Sequence, residues 1–374
     1  MKTFYLNGQV FTGQLPLMQA FCVEDGRFLA VGTNEALSAQ IQPQDRIVSL
    51  EGHFVCPGFV DSHMHLLNYG ATLTQCDLTC CTNSLSALQK GLKDYIDRQQ
   101  IPDGTWVRGR GWNQDYFAPA SGIPTREDLD AVSTRHPICI VRCCGHCLVV
   151  NTKALELLQL DASLAQPEGG SFDLDNRGQM TGVFRDTAMS LIYTRLPAPN
   201  REEIKQMIRS AQKQFNTCGV TSCHSDDLCA FENVSWQEVI QAYQELEQAG
   251  ELTIRVYEQS QFTSPQTLQT FFDAGYTTGT GSSLFRIGPL KMLGDGSLGA
   301  RTAYLAGTYA DAPGERGLAI FTQEEFDAMI TLARKYRMQV AIHAIGDGIL
   351  DRILLAYEKA FRQYPDNDHR CGIV

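Results

Sequence analysis

Apolar and polar residues alternate through residues 1–55, the period of half-buried strands, and two turn signals interrupt the alternation: Asn7-Gly8 in YLNGQVF and Asp25-Gly26 in VEDGRFLAVG. A small antiparallel sheet with two hairpins is predicted there. Residues 45–60, DRIVSLEGHFVCPGFV, keep strand character and pass into the apolar run of a buried parallel strand. From residue 84 the pattern turns helical (SLSALQKGLKDYIDRQQ), then gives a loop containing Gly and Trp, RGRGWNQDYF, and a capped segment beginning at Thr125. A strand, ICIVRCC, and a helix, TKALELLQL, come next, and the polar, Gly-rich residues 166–183 predict a surface loop or hairpin. From 201 onward helices (201–217, 235–249, 265–274, 323–337, 349–363) alternate with strands GVTSCHS, ELTIRVYEQ, LFRIGPLKML and QVAIHAIG, and a further strand begins at RCGIV. Such alternation means a parallel sheet covered by helices. A βαβ step takes about 30 residues. Far more chain lies between His65 and Lys291 than three such steps need, so an inserted subdomain is predicted at about 75–200.

Composition narrows the class. With 43% hydrophobic and 20% charged residues in a chain of 374, the protein reads as globular throughout. A net charge of −11 excludes a general phosphate-backbone binder, so no nucleic-acid partner is expected. The start, MKTFYLNGQVFTG, has no apolar run of signal-peptide length, and no stretch nears the roughly 20 apolar residues of a membrane span. The expectation is a cytoplasmic protein without membrane contact, with a homo-oligomer left open. Thirteen cysteines, an odd number without a secretory signal, argue against a disulfide framework and for reduced, mostly buried thiols. Cys143, Cys144 and Cys147 around His146 (RCCGHC) have a spacing that a zinc site can use, but a second ligand pair is missing and the apolar context favours a strand with small buried thiols.

The chemistry concentrates at strand ends. In FVDSHMHL, His63 and His65 stand two apart on a strand, so both imidazoles point to one side and can face one metal. Gly58 permits a tight approach, and Asp61 can accept from a ligating imidazole and fix its tautomer. Two polar residues closing a strand are the plain alternative.

Through PGFVDSHMH, GWNQDYF, PTREDLDAV, GHCLVVNTKAL, GGSFDLDNRGQMTGV, GVTSCHS, KMLGDGSLGART and AIHAIGD, in that order, the chain resembles the amidohydrolase superfamily. Within it, the chain looks like the branch of N-substituted formamide deformylases and YtcJ-like proteins. The resemblance implies an α/β fold: a TIM (β/α)8 barrel of the metal-dependent hydrolase type over 56–374, with the insertion at about 75–200 and with residues 1–55 part of a small β-sandwich domain. It implies His63 and His65 as first-strand metal ligands, Lys291 as a lysine that can be carbamylated to bridge two metals, and His343 as the next ligand. A lysine ending a buried strand is costly to leave charged, which argues for modification or for an anionic partner, with Asp295 as the structural alternative. Asp61, Asp295 and Asp347 are expected to support the ligands, Asp347 alternatively as a helix cap. Trp112, His146, Arg185 and His224 are expected to line the substrate pocket or, equally, to be a packed indole, core histidines and a surface arginine. Arg301, after the DGSLGAR turn, either binds an anionic or carbonyl oxygen or belongs to a flexible loop.

The implied reaction is hydrolysis of a non-peptide carbon–nitrogen bond in a small amide or formamide by water activated on one or two divalent ions, zinc by default. A non-catalytic, barrel-shaped binding or regulatory protein is the alternative of another class. The family's further ligand His and proton-shuttling Asp would fall beyond Val374: only 31 residues follow His343, whereas a full barrel takes about 250 residues. The barrel is therefore expected to stop after about its fifth strand, as an inactive fragment.

Overall fold

The computed structural model describes residues 1–374 except 82, 119–121, 168–169, 232 and 299–300. It divides into two compact units, Met1–Val60 with Gly219–Ser222, and Asp61–Cys218 with Cys223–Val374.

In the first unit, β1 (Thr3–Leu6), β2 (Gln9–Val10), β3 (Ala20–Glu24), β4 (Arg27–Gly32), α1 (Asn34–Ser38), β5 (Arg46–Ser49) and β6 (Phe54–Val55) follow in order. Asp25 (φ 50°) and Gly26 (φ 74°) make the expected β3–β4 hairpin, because two left-handed residues in a two-residue loop match the twist of the flanking strands. The other turn signal was misleading. Asn7 does take φ 60°, but β1 pairs with β3 antiparallel and β5 parallel, while β2 pairs with β6 in parallel. The turn hands the chain from one sheet to another, and the sheet is mixed rather than antiparallel. Its small core is Phe4, Ala20, Cys22 and Leu37.

The second unit takes up the chain within β7 (Phe59–Met64), at Asp61, continues in α2 (Leu66–Leu73) and then leaves for a separate six-stranded sheet. That sheet contains β8 (Cys76–Asp77), β9 (Val107–Trp112), β10 (Ile138–Arg142), β11 (Cys147–Val150), β12 (Gly170–Leu174) and β13 (Met180–Asp186), in the order β12-β13-β11-β10-β9-β8. Helices α3 (Leu85–Gln99), α4 (Arg126–Asp130), α5 (Thr152–Leu158) and α6 (Ser190–Tyr193) accompany it. The segment RGRGW, expected as loop, is strand β9: a Cβ at Gly109 would lie 2.9 Å from the Leu78 side chain, so the glycine serves close packing rather than looseness. Residues 170–186 form the expected hairpin, β12 against β13; positions 168–169 of that segment lie outside the described residues. Two apolar clusters pack this sheet, one around Leu88, Val107, Trp112 and Ile140, the other around Leu148, Phe172 and Phe184.

After α7 (Arg201–Thr217) comes the alternating part: β14 (Val220–Ser225), α8 (Trp236–Gln248), β15 (Arg255–Gln261), α9 (Pro265–Asp273), β16 (Phe285–Leu293), α10 (Gln323–Lys335), β17 (Val340–His343), α11 (Asp347–Gln363) and β18 (Gly372–Ile373). These strands join β7 in the order β18-β17-β16-β15-β14-β7, a half-barrel parallel sheet in which sequence neighbours are spatial neighbours. Helix ends obey their local chemistry: Thr322 and Glu325 form a capping box at α10, and acids open and bases close that helix, matching its dipole. Its buried residues, Phe326, Met329, Ile330 and Ala333, recur at three- and four-residue spacing and cover one face of the sheet.

Strand β7 is not the buried strand that its composition predicts. Phe59 and Val60 are each 59% exposed, because β7 is the edge of the sheet and no described strand flanks it on the outer side. All thirteen cysteines are free, as expected, but only Cys22, Cys76, Cys139, Cys147 and Cys223 are buried. Among the described residues no helix is long and apolar enough to cross a membrane.

Candidate metal centre

The carboxyl ends of β7, β14, β16 and β17 carry the polar residues that the half-barrel sheet gathers. His63 and His65 lie two apart at the end of β7, their ring centroids 5.7 Å apart and nearly perpendicular. His65 occupies the N-cap position of α2 without capping it. The first turn of α2 is satisfied from β14 instead: Leu66 N–H donates to Ser225 Oγ (2.7 Å) and Leu67 N–H to Asp227 Oδ1 (2.9 Å). This frees the His65 imidazole, whose Nδ1 is hydrogen-bonded to Asp226, leaving Nε2 as the lone-pair nitrogen. The Asp226 hydrogen bond raises the His65 pKa above the ordinary histidine value, against burial. His63 shifts the other way: burial lowers it first, and the charges of Lys291, His65 and His343 lower it further.

Lys291 on β16 is 1% exposed, and among the described residues its Nζ has no hydrogen-bond partner. Burial pulls its pKa below the usual lysine value, with Asp226 the charge that opposes the shift. Register places Lys291 opposite Ala341 and Leu293 opposite His343, so Lys291 and His343 share a face of the sheet. His343 Nε2 donates to the Gly296 carbonyl at 3.2 Å, which leaves Nδ1 available.

The alternative partner for Lys291 is excluded by satisfaction. Asp295 is buried and accepts three backbone N–H groups, from Tyr304 (2.7 Å), Ile345 (3.0 Å) and Gly346 (2.8 Å), and it lies 3.9 Å from His343 Nε2. It braces the loops behind His343 rather than neutralising the lysine. Asp61 is corrected too: its carboxylate accepts the backbone N–H of His63 at 3.2 Å, and the carboxylate that holds an imidazole is Asp226. Gly58 does serve close approach, since a Cβ there would meet Thr221 Oγ1 at 2.2 Å. Asp347 sits in the first turn of α11, where Gly346 is the N-cap; its carboxylate takes the Ala306 N–H (2.8 Å) and fastens the preceding loop.

Behind Asp226 lies a buried acidic network that the sequence reading passed over. Asp227 accepts from Tyr243 Oη (2.5 Å) and Ser225 Oγ (2.8 Å), and its own N–H donates to Glu258 Oε1 (2.8 Å). Burial, then the charge of Asp227, pushes the Glu258 carboxyl well above its ordinary value. Among the described residues its Oε2 and the nearby-in-sequence Ser260 Oγ have no partner. The run His224-Ser225-Asp226-Asp227 at the end of a parallel strand was the available signal: polar residues cluster there when a site does.

The proposed pocket residues separate. His224 is half-buried and packs on Tyr257, ring centroids 5.0 Å apart, and burial lowers its pKa. Trp112 is corrected: it is completely enclosed in the core of the other sheet and cannot touch a substrate. His146 and Arg185 line one small recess of that sheet, but each is engaged, His146 Nδ1 with Asp186 (3.2 Å) and Arg185 with Asp173 (2.7 Å). Arg301 is exposed and ion-paired with Asp311; Gly299 and Ala300 of its turn lie outside the described residues. The RCCGHC zinc alternative fails on placement, for Cys147 is buried in the sheet core while Cys143 and Cys144 are exposed.

Among the described residues no three His, Cys, Asp or Glu side chains are grouped so as to hold an ion. A donor set built on lysine is a different matter. Lys291 Nζ, buried without a hydrogen-bond partner among the described residues and on the same sheet face as His343, is the orphaned polar atom that a modified lysine on a bound cation would satisfy, and His65 offers a nitrogen already oriented by a carboxylate. The residues fit a metal of the kind that imidazole and oxygen ligands suit.

Comparison with known proteins places the chain in a family. A family model described as the amidohydrolase family matches residues 46–374. The chain is 31% identical over 362 residues to the YtcJ protein of Bacillus subtilis (strain 168), covering 96% of this chain and 66% of that one. It is 25% identical over 354 residues to N-substituted formamide deformylase of Arthrobacter pascens, covering 92% and 63%. The crystal structure of an uncharacterized metal-dependent hydrolase from Pyrococcus furiosus superposes with a TM-score of 0.77 at 29% identity, over 96% of this chain and 70% of that one. The present chain thus spans about two-thirds of the curated relatives it matches. With the strand-end histidines and lysine inside the matched span, this chain belongs to the amidohydrolase family.

Proposed function

We propose that this chain serves a metal-dependent hydrolase of non-peptide carbon–nitrogen bonds, amides or formamides, on a (β/α)8 barrel. In this reading residues 56–374 belong to the barrel, about 75–200 are its insertion, and 1–55 contribute to a small β-sandwich domain. His63, His65, Lys291 and His343 hold one or two divalent ions, zinc by default, with Lys291 carbamylated. The ion supplies Lewis acidity toward the carbonyl and lowers the pKa of water.

The chain's own residues do the rest. Asp226 keeps His65 in one tautomer and orientation, and the Ser225 and Asp227 contacts to α2 fix the backbone immediately after it. Asp295 holds the loop that follows His343 through its three backbone N–H contacts. The observation that carries the reading is Lys291: a fully buried amine with no partner costs several kcal/mol unless something completes it. A binding or regulatory protein that has kept the pocket is the second reading, and the lack of three grouped His, Cys, Asp or Glu side chains among the described residues favours it.

Metal analysis of the intact protein, with hydrolysis of a formamide and lactam panel, separates the two. His63→Ala is expected to lose metal and to lower turnover by roughly a hundredfold or more. Unchanged metal content and activity in that variant would remove the hydrolase reading.

A further inference from the structure

Arg108 and Arg110 occupy alternate positions of β9 and so share one face of the strand. Both line a cavity of about 330 Å³ together with Gln75, Tyr193, Pro199 and Phe231. Gln75, Arg110 and Phe231 also line a second cavity, about 580 Å³, whose wall includes His65. Arg110 therefore stands where the two cavities meet, with the candidate metal ligand on one side and Arg108 on the other.

Neither guanidinium is neutralised. Arg110 has no ion pair and no side-chain hydrogen bond among the described residues, and Arg108 donates only to the Pro197 carbonyl, at 3.4 Å. The contrast within the same sheet is sharp: Arg142 is tied to Asn113, Gln114 and Asp115, and Arg185 to Asp173. In a chain of net charge −11, two adjacent cations at a cavity, without a carboxylate partner among the described residues, can receive an anion, Arg110 from an exposed position and Arg108 from a partly buried one. Tyr193 adds a neutral donor, its hydroxyl pushed up to about 12 by burial. Val141, Leu196 and Pro197 add apolar wall to the lining, and Asn233 adds a further polar group.

We propose that Arg108 and Arg110 form a subsite for a carboxylate on the substrate, separated from the scissile bond by an apolar spacer that lies between the two cavities. The inference rests on the hydrolase reading for what happens at His65, and it narrows the substrate class to amides with a remote carboxylate. Arginine suits the task because its planar fork matches both carboxylate oxygens.

The test is calorimetric binding of two non-hydrolysable probes to the intact protein: 6-(methylsulfonamido)hexanoate and its neutral carboxamide. The acid is expected to bind about tenfold more tightly than the carboxamide, and this preference should shrink as salt is raised. Arg108→Gln with Arg110→Gln should bring the acid to the level of the carboxamide while leaving the carboxamide unchanged, and Arg110→Lys should keep part of the preference. Equal binding of the two probes, binding of neither, or a preference that survives the double variant overturns the subsite. His63→Ala is expected to retain the preference even where turnover is lost. Turnover that is indifferent to His63→Ala alongside an intact preference supports the subsite and overturns only the hydrolase reading.

Discussion

The second unit contains two six-stranded sheets that treat polar groups in opposite ways. In the sheet of residues 76–186, polar side chains are satisfied locally. Asn151 is fully buried, and its side chain bonds Ile138 N, Ala154 N and the carbonyls of Ser133 and His136. The orphans near that sheet are the neutral indole N–H groups of Trp106 and Trp112. Along the half-barrel strands, the orphans among the described residues are Lys291 Nζ, Glu258 Oε2 and Ser260 Oγ, the first two on ionisable groups completely enclosed by protein. An unpaired indole costs about as much as one neutral hydrogen bond, whereas an unpaired ammonium costs several kcal/mol. One sheet is built for stability, and the other retains costs that only a function repays. Arg108 and Arg110 are where the first sheet departs from its own rule, on the face lined by the cavities.

Truncating the enclosed indole probes the stable side of this contrast most strongly. Trp112→Ala is expected to destabilise the protein by about 3–5 kcal/mol, read from the denaturant midpoint, because it empties a fully packed position. A variant of native stability with an altered KM would instead put Trp112 at the substrate. On the other side, Lys291→Met should abolish hydrolysis and yet stabilise the metal-free protein by about 1–3 kcal/mol, since an apolar chain replaces a buried amine that has no hydrogen-bond partner among the described residues. Destabilisation of the size seen when a buried ion pair is broken would mean that Lys291 has a structural partner, and the contrast between the sheets would dissolve.

A smaller effect is expected one step behind the proposed ligands. Asp226→Asn should weaken metal binding by about 10–100-fold with little change in unfolding midpoint, because the amide holds the His65 ring less firmly than the carboxylate. Unaltered affinity would show that the ring is held by packing alone. This residue also marks the limit of what the sequence discloses. His63, His65, Lys291 and His343 are readable because each closes an apolar strand, and strand order follows from the helix–strand alternation. Asp226 is distant in sequence from His65, and its role depends on β14 and β7 being sheet neighbours and on a side-chain direction that no local pattern encodes. Strand β7 shows the same limit for burial: its apolar run signals a strand, but exposure depends on what flanks the sheet edge. Asn7-Gly8 encodes a turn, while the partner of each strand beside it is chosen by the whole sheet. Trp112 and its neighbours RGRG read as loop because glycine is common in loops, and only the packed position of Leu78 shows why glycine is needed in a strand there.

The smallest effect is expected at Arg185, and it tests whether the satisfied sheet stays out of the chemistry. Arg185 forks onto Asp173 through Nε (3.2 Å) and Nη2 (2.7 Å), with the two side chains 35% and 37% exposed. Solvent screens a pair of this exposure, so Arg185→Ala should change stability by no more than about 1 kcal/mol. The recess it shares with Arg142, Cys144 and His146 is small, about 270 Å³, and neither His65 nor Arg110 lines it. Turnover and the binding of the carboxylate probe are therefore expected to match the parent protein within error. A tenfold loss of either, with the unfolding midpoint unmoved, would place the His146–Arg185 recess on the substrate's path and join the two sheets into one site.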